Sequence, residues 1–141
     1  MLQILSSLTL LSRFDLTADA WILASGVTGT FVAVNGDTCG KPTAGGIAFP
    51  IWSESNRDLT PGFSYDVSAT GKVTTIYGKL KGITDQYSGN PTVGAPLYVD
   101  ATGKLTTTAA GSNVVIAYCT KAPFATSYLS KPFNAIGFVL A

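Results

Sequence analysis

Short apolar runs, separated by turn residues at roughly 8–12-residue spacing, occupy most of the chain and predict an all-β domain. Thr, Val, Tyr and Phe fill the runs, and 15 Gly and 7 Pro contribute to the breaks. The strands are expected at residues 21–24, 30–34, 47–52, 113–119 and 135–140. Pro50 indicates an edge or bent strand, because proline has no amide hydrogen to donate to a ladder. Residues 113–119 are expected to form a central strand that is buried on both faces. No window predicts a helix.

An internal repeat is the most specific feature. Residues 60–75 and 92–107, offset by 32, are identical at nine of 16 positions. Each copy carries Ala-Thr-Gly-Lys followed by Val or Leu and two threonines, which is typical of a hairpin. Gly71 and Gly103 are the turn glycines, since a tight hairpin turn needs a positive φ. The predicted architecture is a compact antiparallel β-sandwich or barrel of short strands and hairpins, with two related hairpins.

The N-terminal segment is apolar but does not resemble a secretion signal, because its first basic residue, Arg13, follows the apolar stretch. Residues 1–20 are expected to form either a first strand or an extended arm that docks on a neighbouring subunit, and residues 21–141 a single β domain. For an arm, the expected interface side chains are Leu2, Ile4, Leu5, Leu8, Leu10 and Leu11.

Charge is scarce, at 12% of residues against about 25% in typical soluble domains. The formal net charge of +1 gives no footprint for nucleic acid, and no segment is long and apolar enough to span a membrane. The chain has no histidine, which excludes Ser-His-Asp and Cys-His catalysis and HExxH metal sites. No catalytic residue, metal site or cofactor is expected, so an enzyme is disfavoured. The two cysteines, Cys39 and Cys119, fit either a disulfide or two buried apolar side chains.

The remaining groups of residues that could form a functional site give only weak signals. The two Thr-Gly-Lys sequences lack the Ser or Thr and the helix of a phosphate loop. Glu54 and Asp58, four residues apart, lie in a polar loop beside Arg57, which favours a solvated loop over a hydrolytic pair. Most aromatic residues are expected in the core. Aromatic side chains near turns or in the C-terminal segment are candidate interface anchors: Trp52, Tyr87, Tyr128 and Phe133.

Three passages carry a resemblance to a known family. They are residues 45–52 (GGIAFPIW), residues 93–106 (VGAPLYVDATGKLT) and residues 113–119 (NVVIAYC). In these passages the chain resembles the small β-rich head decoration, or cement, proteins of tailed bacteriophages. The resemblance covers about residues 29–120, and it carries no catalytic residue.

The resemblance implies a non-enzymatic virion protein, made in the host cytoplasm and placed on the capsid exterior, that clamps neighbouring major capsid subunits. It also implies a homotrimer. The low charge suits such a role, because interface cores are depleted of charge. Two other functions stay open: a tail, baseplate or fibre-base protein of the virion, and a carbohydrate-binding or adhesion module.

Overall fold

The structure, a computed structural model, describes residues 1–52, 71–128 and 130–141, and the side chains of these except residues 7–15 and 128. Within these residues the elements follow one another in the order β1 (Leu2–Ala18), α1 (Ala20–Ser25), β2 (Phe31–Asn35), β3 (Thr38–Gly40), β4 (Phe49–Pro50), β5 (Lys72–Thr84), β6 (Pro96–Val99), β7 (Leu105–Thr106), β8 (Ala117–Tyr128) and β9 (Lys131–Leu140). The all-β prediction is confirmed.

The strands form one open sheet in the order β4-β2-β3-β1-β5-β9-β8-β6-β7. The β1–β3 ladder is parallel and the other named ladders are antiparallel. Strands near the two ends of this order approach each other: the Phe31 amide in β2 donates to the carbonyl of Gly103, in the β6–β7 turn, over 2.8 Å. The sheet therefore curls, so that one face encloses the core.

The N-terminal segment is the first strand of this sheet, paired with β5 from Leu2↔Thr84 to Thr17↔Lys72. The Met1 amino group is buried against the carboxylate of Asp85, which forms an ion pair with it. Burial lowers the pKa of this amino group from its usual 8.0, and the charge of Asp85 partly opposes that shift. The contacts of the segment within the described chain are those of a structural strand.

The predicted strand at residues 21–24 is wrong, because these residues belong to α1. Asp19 caps the helix: its Oδ1 accepts from the Ile22 amide over 2.9 Å, which satisfies an amide that has no partner within the helix. Gly26 closes the last turn by donating to the Ile22 carbonyl. The expectation that no helix forms is also wrong. A helix of six residues is too short to show a helical period in its apolar residues, and the cap at Asp19 stabilises it.

The other predicted strands are found, with different bounds. Residues 30–34 correspond to β2, residues 135–140 lie in β9 between β5 and β8, and Pro50 lies in β4 at one end of the strand order. In the segment 113–119 only the last three residues are in a strand, because β8 begins at Ala117. Tyr118 is 44% exposed while Ala117 and Cys119 are buried, so this part of β8 has one solvent-facing side rather than two buried faces. The hairpin at residues 92–107 is present as β6 and β7, whereas most of its predicted relative at 60–75 lies outside the described residues.

Two apolar clusters form the core. The larger one centres on Phe31 and Phe138, whose rings meet edge to face at 6.3 Å, and the smaller one on Ile22 and Val32. Cross-strand rows explain the larger cluster: the row Cys119–Phe138–Gly82 points inward, as does the row Leu97–Ala117–Leu140. Because side chains alternate between faces, the row between these two must point outward.

Candidate interaction surfaces

The predicted arm residues separate into core and surface. Leu2 is fully buried in the larger core cluster and Ile4 packs against that cluster, whereas Leu5 is 52% exposed. Leu5 is the extra residue of a β-bulge between Ile4 and Ser6, and a bulge redirects the side chain of its extra residue. The remaining three, Leu8, Leu10 and Leu11, lie on β1 opposite β5, and their side chains are outside the described set.

The four predicted aromatic anchors lie in two different places. Trp52 and Tyr87 are half-buried and pack against the larger core cluster, and the Trp52 amide donates to the Thr74 carbonyl over 3.0 Å. Tyr128 and the half-buried Phe133 lie instead on the hairpin of β8 and β9. The structure therefore brings together only the last two.

The two turn glycines both have positive φ, 65° at Gly71 and 77° at Gly103. Their surroundings differ. A Cβ at Gly71 would meet nothing within 4 Å, whereas one at Gly103 would lie 2.6 Å from Thr30 Cγ2 and 2.8 Å from the Phe31 carbonyl oxygen. Glycine is thus required at position 103 for two reasons: its positive φ, and the close approach of the β6–β7 turn to β2, which leaves no room for a Cβ.

An exposed row of side chains crosses five strands on the solvent side of the sheet. The row consists of Pro96, Tyr118, Val139, Lys81 and Ser6, paired in that order. All are exposed except Val139, which is half-buried. We call this row, together with the neighbouring Lys121 and half-buried Ile83, the outer face. Its charged members are two lysines, and it contains no carboxylate.

The distal part of β8 and β9 forms a two-stranded ribbon, defined as residues 121–128 and 131–135. β6 pairs with β8 only at residues 117–118, and β5 pairs with β9 only at residues 136–139, so the ribbon extends past both neighbouring strands. Within the described chain its residues from Phe124 onward pair only with each other, and Lys121 pairs with Gly137. Pro123 and Pro132 lie in its two strands, and proline opposes continuous pairing with a further strand.

The two faces of the ribbon differ in character. Phe124↔Ala135 and Thr126↔Phe133 are opposite pairs, so the two phenylalanines share one face, on which Lys121 Nζ lies 3.8 Å from the centroid of the Phe124 ring. The opposite face carries Ala125, Ser127, Pro132 and Asn134, all of them exposed. One face of the ribbon is therefore aromatic and the other small and polar.

An apolar groove of about 480 Å³ lies at the opposite end of β9 from the ribbon. It is lined by the segment 47–49, part of β5, the segment 114–116 and the last two residues. Ile47 is 64% exposed and Tyr77 is 37% exposed, and the Tyr77 ring contacts Phe49 edge to face at 5.9 Å. The groove follows a gap in the pairing of β5: β9 pairs with it from residue 81 and Ile51 bridges to it at residue 75, but residues 76–80 have no described partner on that side.

Polar chemistry is sparse in the part of the chain that the structure describes. No group of three or more His, Cys, Asp or Glu side chains there could hold a metal ion. Asp19 and Asp100 are engaged in local hydrogen bonds: Asp100 Oδ1, for example, accepts from the Thr102 and Lys104 amides at 2.7 and 3.0 Å. Asp19 stabilises a helix cap and Asp100 a turn, so the contacts of these two carboxylates have a structural role.

Both cysteines are buried free thiols, so the alternative of a disulfide is not what the structure contains. Burial, and secondarily the charge of Asp19, raises the pKa of Cys39 to about 11. Burial also raises the pKa of Cys119. Both thiols are therefore poor nucleophiles at neutral pH.

The three passages at residues 45–52, 93–106 and 113–119 meet in space. The Gly45 amide donates to the Val99 carbonyl over 2.8 Å, and the Val114 amide donates to the Gly45 carbonyl over 2.9 Å. Comparison with protein-family models, curated proteins and solved structures found no match. No helix among the described residues has the length and apolar character needed to cross a membrane.

Sequence reasoning missed the outer face and the groove. A signal for β5 was present, because lysines at 79 and 81 alternate with Leu80 and Gly82, and such alternation predicts a half-buried strand. The exposed row and the groove, however, depend on which strands neighbour β5. That information is not local in the sequence.

Proposed function

We propose that the protein is a non-enzymatic structural component of a tailed-bacteriophage virion, a decoration or cement protein that binds the outer capsid surface and stabilises the major capsid subunits. The outer face is the observation that carries this proposal. It is an exposed sheet surface in which Tyr118 lies beside the central Val139, and tyrosine is enriched among residues that dominate binding energy. An open, exposed sheet surface of this kind suits docking on another protein better than enclosing a small molecule.

Charge supports a protein partner with acidic groups. The last 41 residues contain three lysines and no Asp or Glu, whereas the first 100 contain six basic and eight acidic residues. Two lysines belong to the outer face: Lys81 lies in the exposed row, next to Val139, and Lys121 lies beside the row. Complementary charge at the rim of an interface accelerates association and fixes orientation, while the central apolar residues supply affinity.

Decoration explains how a modest surface can stabilise a capsid. The outer face spans five strands, about 20 Å across at ~4.8 Å per strand spacing, and is smaller than the roughly 800 Å² per partner of a standard stable interface. A homotrimer presents three such faces at once, and linked binding sites gain affinity through high effective concentration. Because only the assembled lattice offers the matching sites, each bound copy favours the assembled state.

The other two functions have less support. A carbohydrate-binding module would be favoured by an exposed Trp52 or Tyr87 in a concave site, and both residues are instead half-buried against the core. A tail or baseplate protein would use the same kind of docking surface. Only the position of the protein in the virion distinguishes that function from decoration.

Location is tested by immunogold electron microscopy of virions of the phage whose genome encodes the chain, with antibody raised against the purified protein. Label over the whole head surface is expected. Label confined to the tail or baseplate would favour the tail alternative, and unlabelled virions would contradict a virion role.

The role of the outer face is tested by adding purified variants to heads that lack the protein. Tyr118→Asp should reduce the bound amount at least tenfold, because it replaces the aromatic side chain between Pro96 and Val139 with a carboxylate that is costly to desolvate in a contact. The matched control is Leu23→Asp on α1, since Leu23 is 43% exposed and Tyr118 is 44% exposed. Equal binding by both variants would show that the outer face is not the docking surface.

A further inference from the structure

We propose that the outer face and the aromatic face of the ribbon act as one docking surface, on which lysines bind the carboxylates of an acidic protein segment that also carries apolar side chains. The inference rests on the proposed function and deepens it, because it defines the part of a capsid subunit that the surface fits. The two faces are continuous along β9. Val139 on the outer face and Phe133 on the ribbon lie on the same side of the strand, whereas Phe138 and Ile136 between them point into the larger core cluster.

Cationic side chains flank an apolar middle on this surface. Lys81 and Lys121 come first along β9, the phenylalanines of the ribbon follow, and Lys131 comes last, opposite Tyr128 at the ribbon tip. Lys81 pairs with residue 139, so it lies about 26 Å from the level of Lys131 at ~3.3 Å per residue. The described part of this surface contains no carboxylate, and the nearest one along β5, Asp85, forms an ion pair with the Met1 amino group. The surface therefore offers its positive charge to a partner.

The ammonium group of Lys121 is held in position before any partner binds. Its Nζ lies 3.8 Å from the centroid of the Phe124 ring, and its Cβ lies over Gly137, where an added Cβ would be only 2.8 Å away. The ring attracts the cation through its quadrupole, but it has no net charge to neutralise it. Lys121 therefore keeps its N–H donors for a carboxylate and loses less side-chain freedom on binding, which favours affinity.

The arrangement fits a protein better than a polyanion. A nucleic acid carries a charge at every repeating unit, whereas the half-buried Phe124 and Phe133 lie between the lysines and need apolar groups opposite them. Desolvated aromatic side chains supply affinity in a protein contact, and the surrounding charges supply orientation and association rate. The matching partner is a segment of a capsid subunit with carboxylates on either side of apolar side chains.

The role of Lys121 is tested by binding of purified variants to heads that lack the protein. Lys121→Gln should raise the dissociation constant about fivefold or more in about 50 mM NaCl and less than about twofold in about 500 mM NaCl, because salt screens charge pairs. The matched control is Lys104→Gln, an exposed lysine in the β6–β7 turn, which should bind like the wild-type protein at both salt concentrations. Equal effects of the two substitutions would overturn the inference.

The positioning role of Phe124 is tested by a double-mutant cycle. Phe124→Leu keeps an apolar side chain but removes the ring, and it should raise the dissociation constant about two- to fivefold, the contribution of an exposed cation–π contact. In a Lys121→Gln background the same substitution should change it less than about twofold, because no cation remains to be held. Phe124→Tyr should bind like the wild-type protein. Equal effects of Phe124→Leu in both backgrounds would overturn the assignment of Lys121 as a positioned cation.

The contribution of the ribbon is tested by Phe133→Ser, with Asn134→Ser on the opposite face as the matched control. Phe133→Ser should weaken binding about fivefold or more at both salt concentrations, since it removes apolar contact, and Asn134→Ser should leave binding unchanged. Circular dichroism verifies that each variant retains its fold. If Tyr118→Asp abolishes binding while Phe133→Ser and Lys121→Gln bind like the wild-type protein, the outer face docks without the ribbon. That result would overturn the inference and leave the proposed function intact.

Competition with soluble polymers tests the chemistry of the partner. Poly(Glu,Tyr), a copolymer of acidic and aromatic residues, should displace the protein from heads at a lower concentration of negative charge than heparin or single-stranded DNA does. Stronger displacement by heparin or DNA would indicate a surface for polyanions and overturn the inference. The immunogold experiment reports only where the protein lies in the virion, so failure of the proposed function is distinguishable from failure of this inference.

Discussion

The N-terminal strand offers the sharpest prediction, because Leu2 and Leu5 lie three residues apart on opposite sides of the same strand. Leu2→Ala removes a fully buried side chain from the larger core cluster, whereas Leu5→Ala removes one that is 52% exposed. Buried Leu→Ala substitutions cost about 2–5 kcal/mol through lost transfer energy and the cavity left behind. Exposed substitutions usually stay within about 0.5 kcal/mol.

For Leu2→Ala we expect a loss of about 3 kcal/mol, the middle of the range for a core position. That is a large part of the roughly 5–15 kcal/mol by which native domains are stable. For a chain of this length it lowers Tm by about 10 °C, at roughly 3–4 °C per kcal/mol. The Leu5→Ala variant should melt within about 2 °C of the wild-type protein.

The assay is urea unfolding followed by tryptophan fluorescence, at two protein concentrations. An unchanged m-value would show that both variants unfold the same structure, and the two concentrations separate folding from self-association. A loss below about 1 kcal/mol for Leu2→Ala, or equal losses for both variants, would refute the assignment of residue 2 to the core of its own chain.

Three further predictions concern the cap, the turn glycines and the buried thiols. Asp19→Ala should lower stability by about 1–2 kcal/mol in thermal melts because it removes the helix cap, whereas Asp19→Asn should retain most of it; equal losses would contradict the capping role. Gly103→Ala should destabilise the fold clearly more than Gly71→Ala, since both have positive φ but only the former would clash, 2.6 Å from its nearest neighbour; matched urea curves measure the difference, and similar midpoints would refute it. Burial raises the pKa of Cys39 to about 11 from the usual 9.0, so the unfolded chain releases this proton first and stability should fall as pH rises from 9 towards 11. Cys39→Ala should flatten that part of the stability–pH profile, and in the wild-type protein Cys39 and Cys119 should react with Ellman's reagent at pH 8 only as the chain unfolds.

Local features of the fold were predictable where turn chemistry specifies them. The hairpin of residues 92–107 follows from the turn at Gly103, and the edge position of β4 follows from Pro50. The helix at residues 20–25 was not predicted, because four apolar residues in a row fit a strand as well as a helix. The cap at Asp19 decides between them, and its contact to the Ile22 amide forms only when the chain folds there.

The candidate surfaces were predictable only in part. Tyr128 was predicted as an interface anchor from its position near a turn and Phe133 from its place in the C-terminal segment, and the structure places both on the ribbon. Trp52 was also chosen for its position near a turn, but it packs against the core. Its amide bonds to β5, and that contact is not visible in the sequence.

The sequence by itself determined the class of fold and much of the excluded chemistry. Short apolar runs with glycine and proline breaks predict strands, and a chain with no histidine and few charges has little acid–base chemistry available. Tertiary structure alone decided which strands became neighbours. The pairing of β1 with β5 buries Leu2, and the incomplete pairing of β5 and β9 leaves the groove at one end of β9 and the ribbon at the other. These pairings join residues far apart in the chain, and they depend on how much apolar surface each arrangement buries, which no local pattern records.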